Sequence, residues 1–486
     1  MNIYFSDYFG VPRETLKQHG AFNVSLINDL PVFIDPFLLF NSDKPEYRGL
    51  HDEIIKYIRF LRDVSDGGQL AAGLLRHWFL FPEVKQNWLG YSKIGNSGSG
   101  LGQTFAAAMN QNLATIFQNF GSEQITKGSH LEKLCLIRDG VGRDNISDFT
   151  TNLIKGFLAD YTQQFAAEHL QGNQSKRVNV THAEFNYHTR RWITKQFVLP
   201  FIDGDYVLLT PKDILTKDEA WINKQDIYSD FDDIIEAIPN QELRAQVNDY
   251  LLRQIPEDAN RKELNSGIAA TFRKYPELID RYIRFKEDNG DKAVALSEEK
   301  VAETEAIFIG QVTELVEALR SQGSFYDADT TTFDDAYQRV LFLKQVIENN
   351  DGYRVFYLKG QPIKREADLQ LMFRLTWFAS PNDVNAEVNN GRGPVDYKIS
   401  RGSRDSTLVE FKLASNSKLK QNLEKQVEIY EAANQTHQSI KVVLYFSDQE
   451  LAKLLKIMKE LGLQEGKGLV LIDASGTNKP SASVAK

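Results

Sequence analysis

Cysteine occurs once in the 486 residues, at Cys135, so an intrachain disulfide and a cysteine-based zinc cluster are both excluded. A single thiol is the expectation for a protein of the reducing cytoplasm. Long apolar runs are missing as well. The best candidate, Leu30 to Phe40 (LPVFIDPFLLF), is short and broken by Asp35 and Pro36, well under the roughly 18–20 residues of a membrane span. The opening MNIYFSDYFGVPRETL has no basic head followed by an apolar core, so no signal peptide is read there. Excess positive charge is absent too. The formal net charge of −9 means that overall charge does not advertise nucleic acid. No nucleophile elbow G-x-S-x-G occurs, which leaves serine-hydrolase chemistry without support. Hydrophobic residues make up 42% and charged residues 25%, the composition of an ordinary globular protein, and the length predicts two or three domains.

The organisation reads as an α+β multidomain chain. Residues 1–224 mix aromatic strand-like runs (FNVSLI, LPVFID, KLCLIRD, QFVLPFI, DYVLLT) with helical stretches at 51–64 and 146–167. Residues 225–332 turn helical. Leu243, Val247 and Leu251, then Phe308, Val312, Leu315 and Leu319, step at the helix period, and Ser297 before Glu298 and Glu299 reads as an N-cap. The polar stretch 320–332 is the best linker. Residues 333–486 are the most legible. Helices at 333–349 and 363–379 lead to strands at 384–390, 394–401 and 406–413. A helix at 416–434, a strand at 440–446, a helix at 448–461 and a strand at 468–473 follow. That order predicts a mixed β-sheet flanked by helices.

Asp396 falls on the second of these strands, and Glu410 and Lys412 on the third. Strand side chains alternate, so Glu410 and Lys412 share a face roughly 6.5–7 Å apart, while Val409, Phe411 and Leu413 face the other way. If the two strands pair as a hairpin with Asp396 on the same face, the set converges at an edge of the sheet. Two carboxylates and an ammonium suit phosphodiester hydrolysis. Hard oxygen ligands bind Mg²⁺, with Mn²⁺ as the substitute, and the ammonium offsets charge gathering on the phosphoryl group. The bland alternative is a surface hairpin with an incidental acid. Glu and Lys two apart on an apolar strand are costly unless paired, which weighs against it.

GPVDYKIS followed by EFKLA resembles the D-x(n)-ExK signature of the PD-(D/E)XK, or restriction-endonuclease-like, nucleases, and the element order from 333 to 486 is similar to that superfamily's core. Pro394 stands two positions before Asp396 rather than one. The resemblance implies Asp396, Glu410 and Lys412 as the catalytic core. It implies Glu366 as a further acid of the metal site with Asp396 and Glu410, Asp368 being the neighbouring alternative. It also implies Gln426 and Tyr430, four apart on the next helix, as accessory residues.

Between Gly391 and Lys425 eight basic residues stand against four acids, a local net of +4 in an acidic chain. Of these, Arg392, Lys398, Arg401, Arg404, Lys418, Lys420 and Lys425 are candidates for phosphate contact, set against the plainer reading of a solvated surface. Other signals are weaker. GNSGSGLGQT at 95–104 lacks the ending of a phosphate loop. Asp139, Asp144 and Asp148 lack calcium-loop spacing, and a turn followed by a helix capped around Ser147 is expected there. His182 and His188 match no metal spacing and are expected to be structural or exposed.

The expectation is therefore a cytoplasmic, metal-dependent nuclease, endonuclease before exonuclease and acting on DNA before RNA. Residues 1–332 would engage the substrate, a protein partner or a trigger. Architecture alone suggests prokaryotic anti-phage defence or restriction. The rivals are a non-catalytic nuclease-fold scaffold for nucleic acid or protein, and a repair or junction-resolving nuclease. No membrane association is expected, and homo-oligomerisation is left open.

Overall fold

The chain divides into two units, 1–91 with 96–301 and 302–486 with 92–95. The computed structural model describes residues 3–65, 70–90, 106, 109–110, 123–137, 142–217, 219–256, 260–314, 331–358, 360–362, 365–377, 380, 382–389, 394–401, 405–426, 438–476 and 479. Mixed α/β structure with several sheets results, and among the described residues no helix is long and apolar enough to cross a membrane.

In the first unit, helices α1 (Arg13–His19), α2 (Pro45–Ser65), α3 (Arg143–Leu153) and α4 (Lys155–His169) precede a long antiparallel hairpin, β1 (Ser175–Asn186) and β2 (Arg191–Ile202). Along β1, Val180, Ala183 and Phe185 are buried, and the odd step between 180 and 183 is a bulge at which His182 takes a positive φ of 57°. Helix α4 lies against this hairpin. A Cβ at Gly156 would stand 2.2 Å from the Ala183 carbonyl oxygen, so only glycine permits that approach. Helices α5 (Gln241–Gln254), α6 (Arg261–Lys274) and α7 (Glu277–Asp288) follow, and Val247 and Leu251 are buried as the helical stripe predicts.

Several expectations are corrected here. Residues 225–301 do not stand apart as a separate helical domain. Ile234, Val247, Leu278 and Tyr282 share one core with Phe37, Leu38 and Leu136. Residues 302–332 go with the second unit. KLCLI is helical over Lys133–Ile137, because tertiary packing overrides a short apolar run that suits either state. Ser147 lies inside α3 rather than at its cap, and its hydroxyl accepts the backbone N–H of Ile34. The stretch 146–167 breaks at Ile154 into two helices. Ser297 sits within the helix Gly290–Thr304 and caps nothing. The two histidines are as expected, His182 half-buried and His188 exposed. The loop 95–104, the core of the 320–332 linker, Leu315, Leu319 and Asp139 lie outside the described residues.

In the second unit, α8 (Thr332–Asn349) and α9 (Glu366–Leu375) precede β3 (Asp383–Asn389), β4 (Pro394–Arg401), β5 (Asp405–Leu413), β6 (Ser439–Tyr445), α10 (Asp448–Leu461) and β7 (Leu469–Asp473). The sheet order is β7-β6-β5-β4-β3. Strands β3, β4 and β5 form an antiparallel meander, and β6 and β7 add in parallel. Parallel pairing requires crossovers. Residues 419–426 and α10 supply helix there, and Leu419, Leu423, Leu454 and Met458 pack on Val443, Leu469 and Leu471. On the opposite face Phe373 of α9 meets Tyr397 and Phe411 at ring-centroid distances of 5.3 and 5.2 Å. Helices therefore cover both faces.

Candidate active site

Strand register assembles the site. Val409 pairs with Tyr397 and Leu408 with Lys398, and one step further along the same register Asp396 comes opposite Glu410. Asp396, Lys398, Glu410 and Lys412 thus share one face. They do not lie on an edge strand. Strand β5 is the middle strand of the five and β4 is its inner neighbour, because β6 covers the side of β5 that a simple hairpin would leave open.

The Lys412 Nζ is the centre of the cluster. It lies 3.1 Å from Glu410 Oε1, 3.8 Å from Glu366 Oε2 and 3.9 Å from Asp396 Oδ2, and it donates to the Phe411 carbonyl at 2.9 Å. The acids are also tied to backbone. Asp396 Oδ2 accepts the Phe411 N–H at 2.6 Å, and Glu366 Oε1 accepts the Leu413 N–H at 3.1 Å. Glu366 is the first residue of α9, and a carboxylate there is favoured by the positive helix end. Asp368, two residues on, is buried, its Oδ2 3.7 Å from Arg365, so Glu366 is the acid that reaches Lys412.

Burial and charge act against each other at this site. Desolvation pushes the Asp396 carboxyl up to about 6, against the pull of Lys412 and the Phe411 N–H. Burial raises Glu410 too, with Lys412 and Lys441 opposing. Burial alone would lower Lys412, but Asp396, Glu410 and Glu366 outweigh it and hold its pKa above the ordinary lysine value. Lys441 is absent from the sequence-based set. It pairs with Glu410 across β5 and β6, and its Nζ donates to the Leu423 carbonyl at 2.7 Å. The signal for it was a lysine within the apolar strand run IKVVLYF.

A divalent ion suits this donor set. All three acids offer hard oxygens, and the cluster's formal charge with Lys412 is −3 + 1 = −2. The ligand spacing expected of a shared metal is not met by these three carboxylates. Among the described residues, the one set of three His, Cys or acidic side chains with all ligand atoms within 4.8 Å of one another lies elsewhere. The three carboxylates here are spread more widely, around the ammonium.

The basic candidates divide. Arg401 is engaged internally, donating to Asp335 Oδ2 at 2.7 Å and Asn382 Oδ1 at 2.8 Å, so its guanidinium serves the fold rather than an open surface. Lys420 is exposed and paired with Glu460 at 2.7 Å. Lys418 is exposed, and Lys398 is half-buried on the face of the site. Arg392, Arg404 and Tyr430, and the side chains of Lys425 and Gln426, lie outside the described residues.

No curated protein and no solved structure matches the chain. Two family descriptions do, each covering less than half of it. Residues 10–223 are similar to a domain of unknown function (DUF8370), and residues 332–448, which include Glu366, Asp396, Glu410 and Lys412, to a second domain of unknown function (DUF8371).

Proposed function

We propose that residues 332–486 form a metal-dependent nuclease domain of the PD-(D/E)XK type that hydrolyses phosphodiester bonds, in DNA before RNA and internally before the ends. The observation that carries the reading is the convergence of Asp396, Glu410 and Glu366 on Lys412 at the junction of an antiparallel meander with a parallel crossover. Asp396, Glu410 and Glu366 would hold Mg²⁺ or Mn²⁺. When bound, such an ion polarises the phosphoryl oxygen and acidifies a coordinated water. Lys412 Nζ, kept charged by its three neighbours, orients a water or phosphate oxygen and offsets charge in the transition state. Phe411 and Leu413, through their N–H groups, fix the rotamers of Asp396 and Glu366. Lys398, on the same face, is placed for phosphate contact.

A scaffold that binds nucleic acid without cutting is favoured by one observation, the ammonium standing between the carboxylates. Incubation of the purified chain with plasmid, linear duplex, single-stranded DNA and RNA, in Mg²⁺, Mn²⁺ or EDTA, separates the two. The nuclease reading expects metal-dependent cleavage lost in Asp396→Ala, Glu410→Ala and Lys412→Ala, since a loss of several kcal/mol is at least about a thousandfold in rate. Binding without cleavage under every metal would support the scaffold. Unimpaired cleavage by all three variants would reject the site.

A further inference from the structure

A second set of ligand-type side chains comes together in the first unit, apart from any residue used above. His19 ends α1, and Glu168 and His169 are the last two residues of α4. One ligand atom from each lies within 4.8 Å of the other two. Glu168 Oε2 and His169 Nε2 are 3.6 Å apart. Bonds of about 2.0–2.1 Å in a tetrahedral zinc centre place ligand atoms about 3.3–3.4 Å from each other. Small side-chain rotations therefore close the difference.

The packing holds the imidazoles in place. Tyr161, Phe165 and His169 recur every four residues on one face of α4. The His19 ring lies 4.5 Å from Tyr161 and 5.1 Å from Phe165, Phe165 lies 4.9 Å from His169, and the Tyr161 hydroxyl donates to the His19 carbonyl at 2.8 Å. Gly20, at φ +81°, ends α1 immediately after His19. Two helix C-termini thus meet at the trio, and their partial negative charge favours a cation. One further observation points to a ligand: His19 Nε2 is buried and has no hydrogen-bond partner.

We propose that His19, Glu168 and His169 form a divalent transition-metal site that takes Zn²⁺ and leaves its fourth position to water. Two imidazoles and one carboxylate select zinc over magnesium. The site is chemically distinct from the all-oxygen cluster around Lys412 and stands whether or not that cluster cuts nucleic acid.

The test is calorimetric titration of the full chain with ZnCl₂ in excess Mg²⁺, together with metal content after gel filtration. One Zn²⁺ per chain is expected, retained in Glu410→Gln, with affinity reduced at least about a hundredfold in His19→Gln and His169→Gln, since even outer-shell changes cost about 10–100-fold. Glu168→Gln should also weaken binding, and Glu168 is exposed, so that variant probes ligation rather than folding. If His19→Gln fails to fold, His169→Gln and Glu168→Gln decide the question. Absence of Zn²⁺ uptake by the wild type, or unchanged uptake by the folded variants, overturns the proposal.

Discussion

Replacing Lys412 by methionine isolates what the ammonium does for the second unit. At 3.1, 3.8 and 3.9 Å from three carboxylates, and at an effective dielectric near 20, each attraction is about 4–5 kcal/mol. Desolvation of the lysine and repulsion among the acids oppose that sum. The measurable quantity is the cost of leaving partly buried carboxylates without their cation, about 3–5 kcal/mol. Part of it is relieved as Asp396, already raised to about 6, takes up a proton. With two units in the chain, global melting is not one transition, so the readout is hydrogen exchange of the segment 405–413 in EDTA. Lys412→Met should lower its opening free energy by that amount. Adding Glu410→Gln should return part of the loss, because the two sites are coupled. Saturating Mg²⁺ should also return part, by mass action worth about 2.7 kcal/mol at a hundred times Kd. Unchanged exchange in Lys412→Met, or a deficit that neither Mg²⁺ nor Glu410→Gln reduces, would refute both the electrostatic account and the metal assignment.

Arg401→Ala should destabilise the second unit by about 3 kcal/mol, because Asp335 is buried and loses its guanidinium partner; fluorescence of Trp377, the one tryptophan in 302–486, follows it in a chain with its other tryptophans replaced by phenylalanine. A loss confined to nucleic-acid affinity would instead restore Arg401 to the phosphate contacts. In the first unit, burial depresses Lys155 to about 8, so between pH 8 and about 10.5 the unfolded chain binds more protons than the native one and stability rises with pH. Lys155→Met should therefore stabilise the first unit by about 1–3 kcal/mol at pH 7, with the gain shrinking above pH 8, in urea denaturation followed by tryptophan fluorescence of a chain in which Trp377 is replaced by phenylalanine. A gain that is constant to pH 10 would show that charge burial is not its cause.

Local patterns carried much of the second unit. The period-two alternation around Glu410 and Lys412, and the element order from 333 to 473, are properties of short stretches, and short-range sterics and side-chain parity suffice to read them. Folding decided what depends on distant partners. Strand β5 became central because a parallel crossover placed β6 beside it, which also brought Lys441 to Glu410. The turn into α9 selected Glu366 over Asp368. Arg401 found Asp335, 66 residues away, and so left the set of open cations. KLCLI became helix and Ser147 a buried acceptor, because short apolar and polar stretches take the state that their neighbours bury best. His19 meets Glu168 and His169 only because α1 and α4 end side by side. No spacing in the chain encodes that meeting, since the cost of loop closure changes only slowly with the number of residues between and tertiary packing chooses the contact.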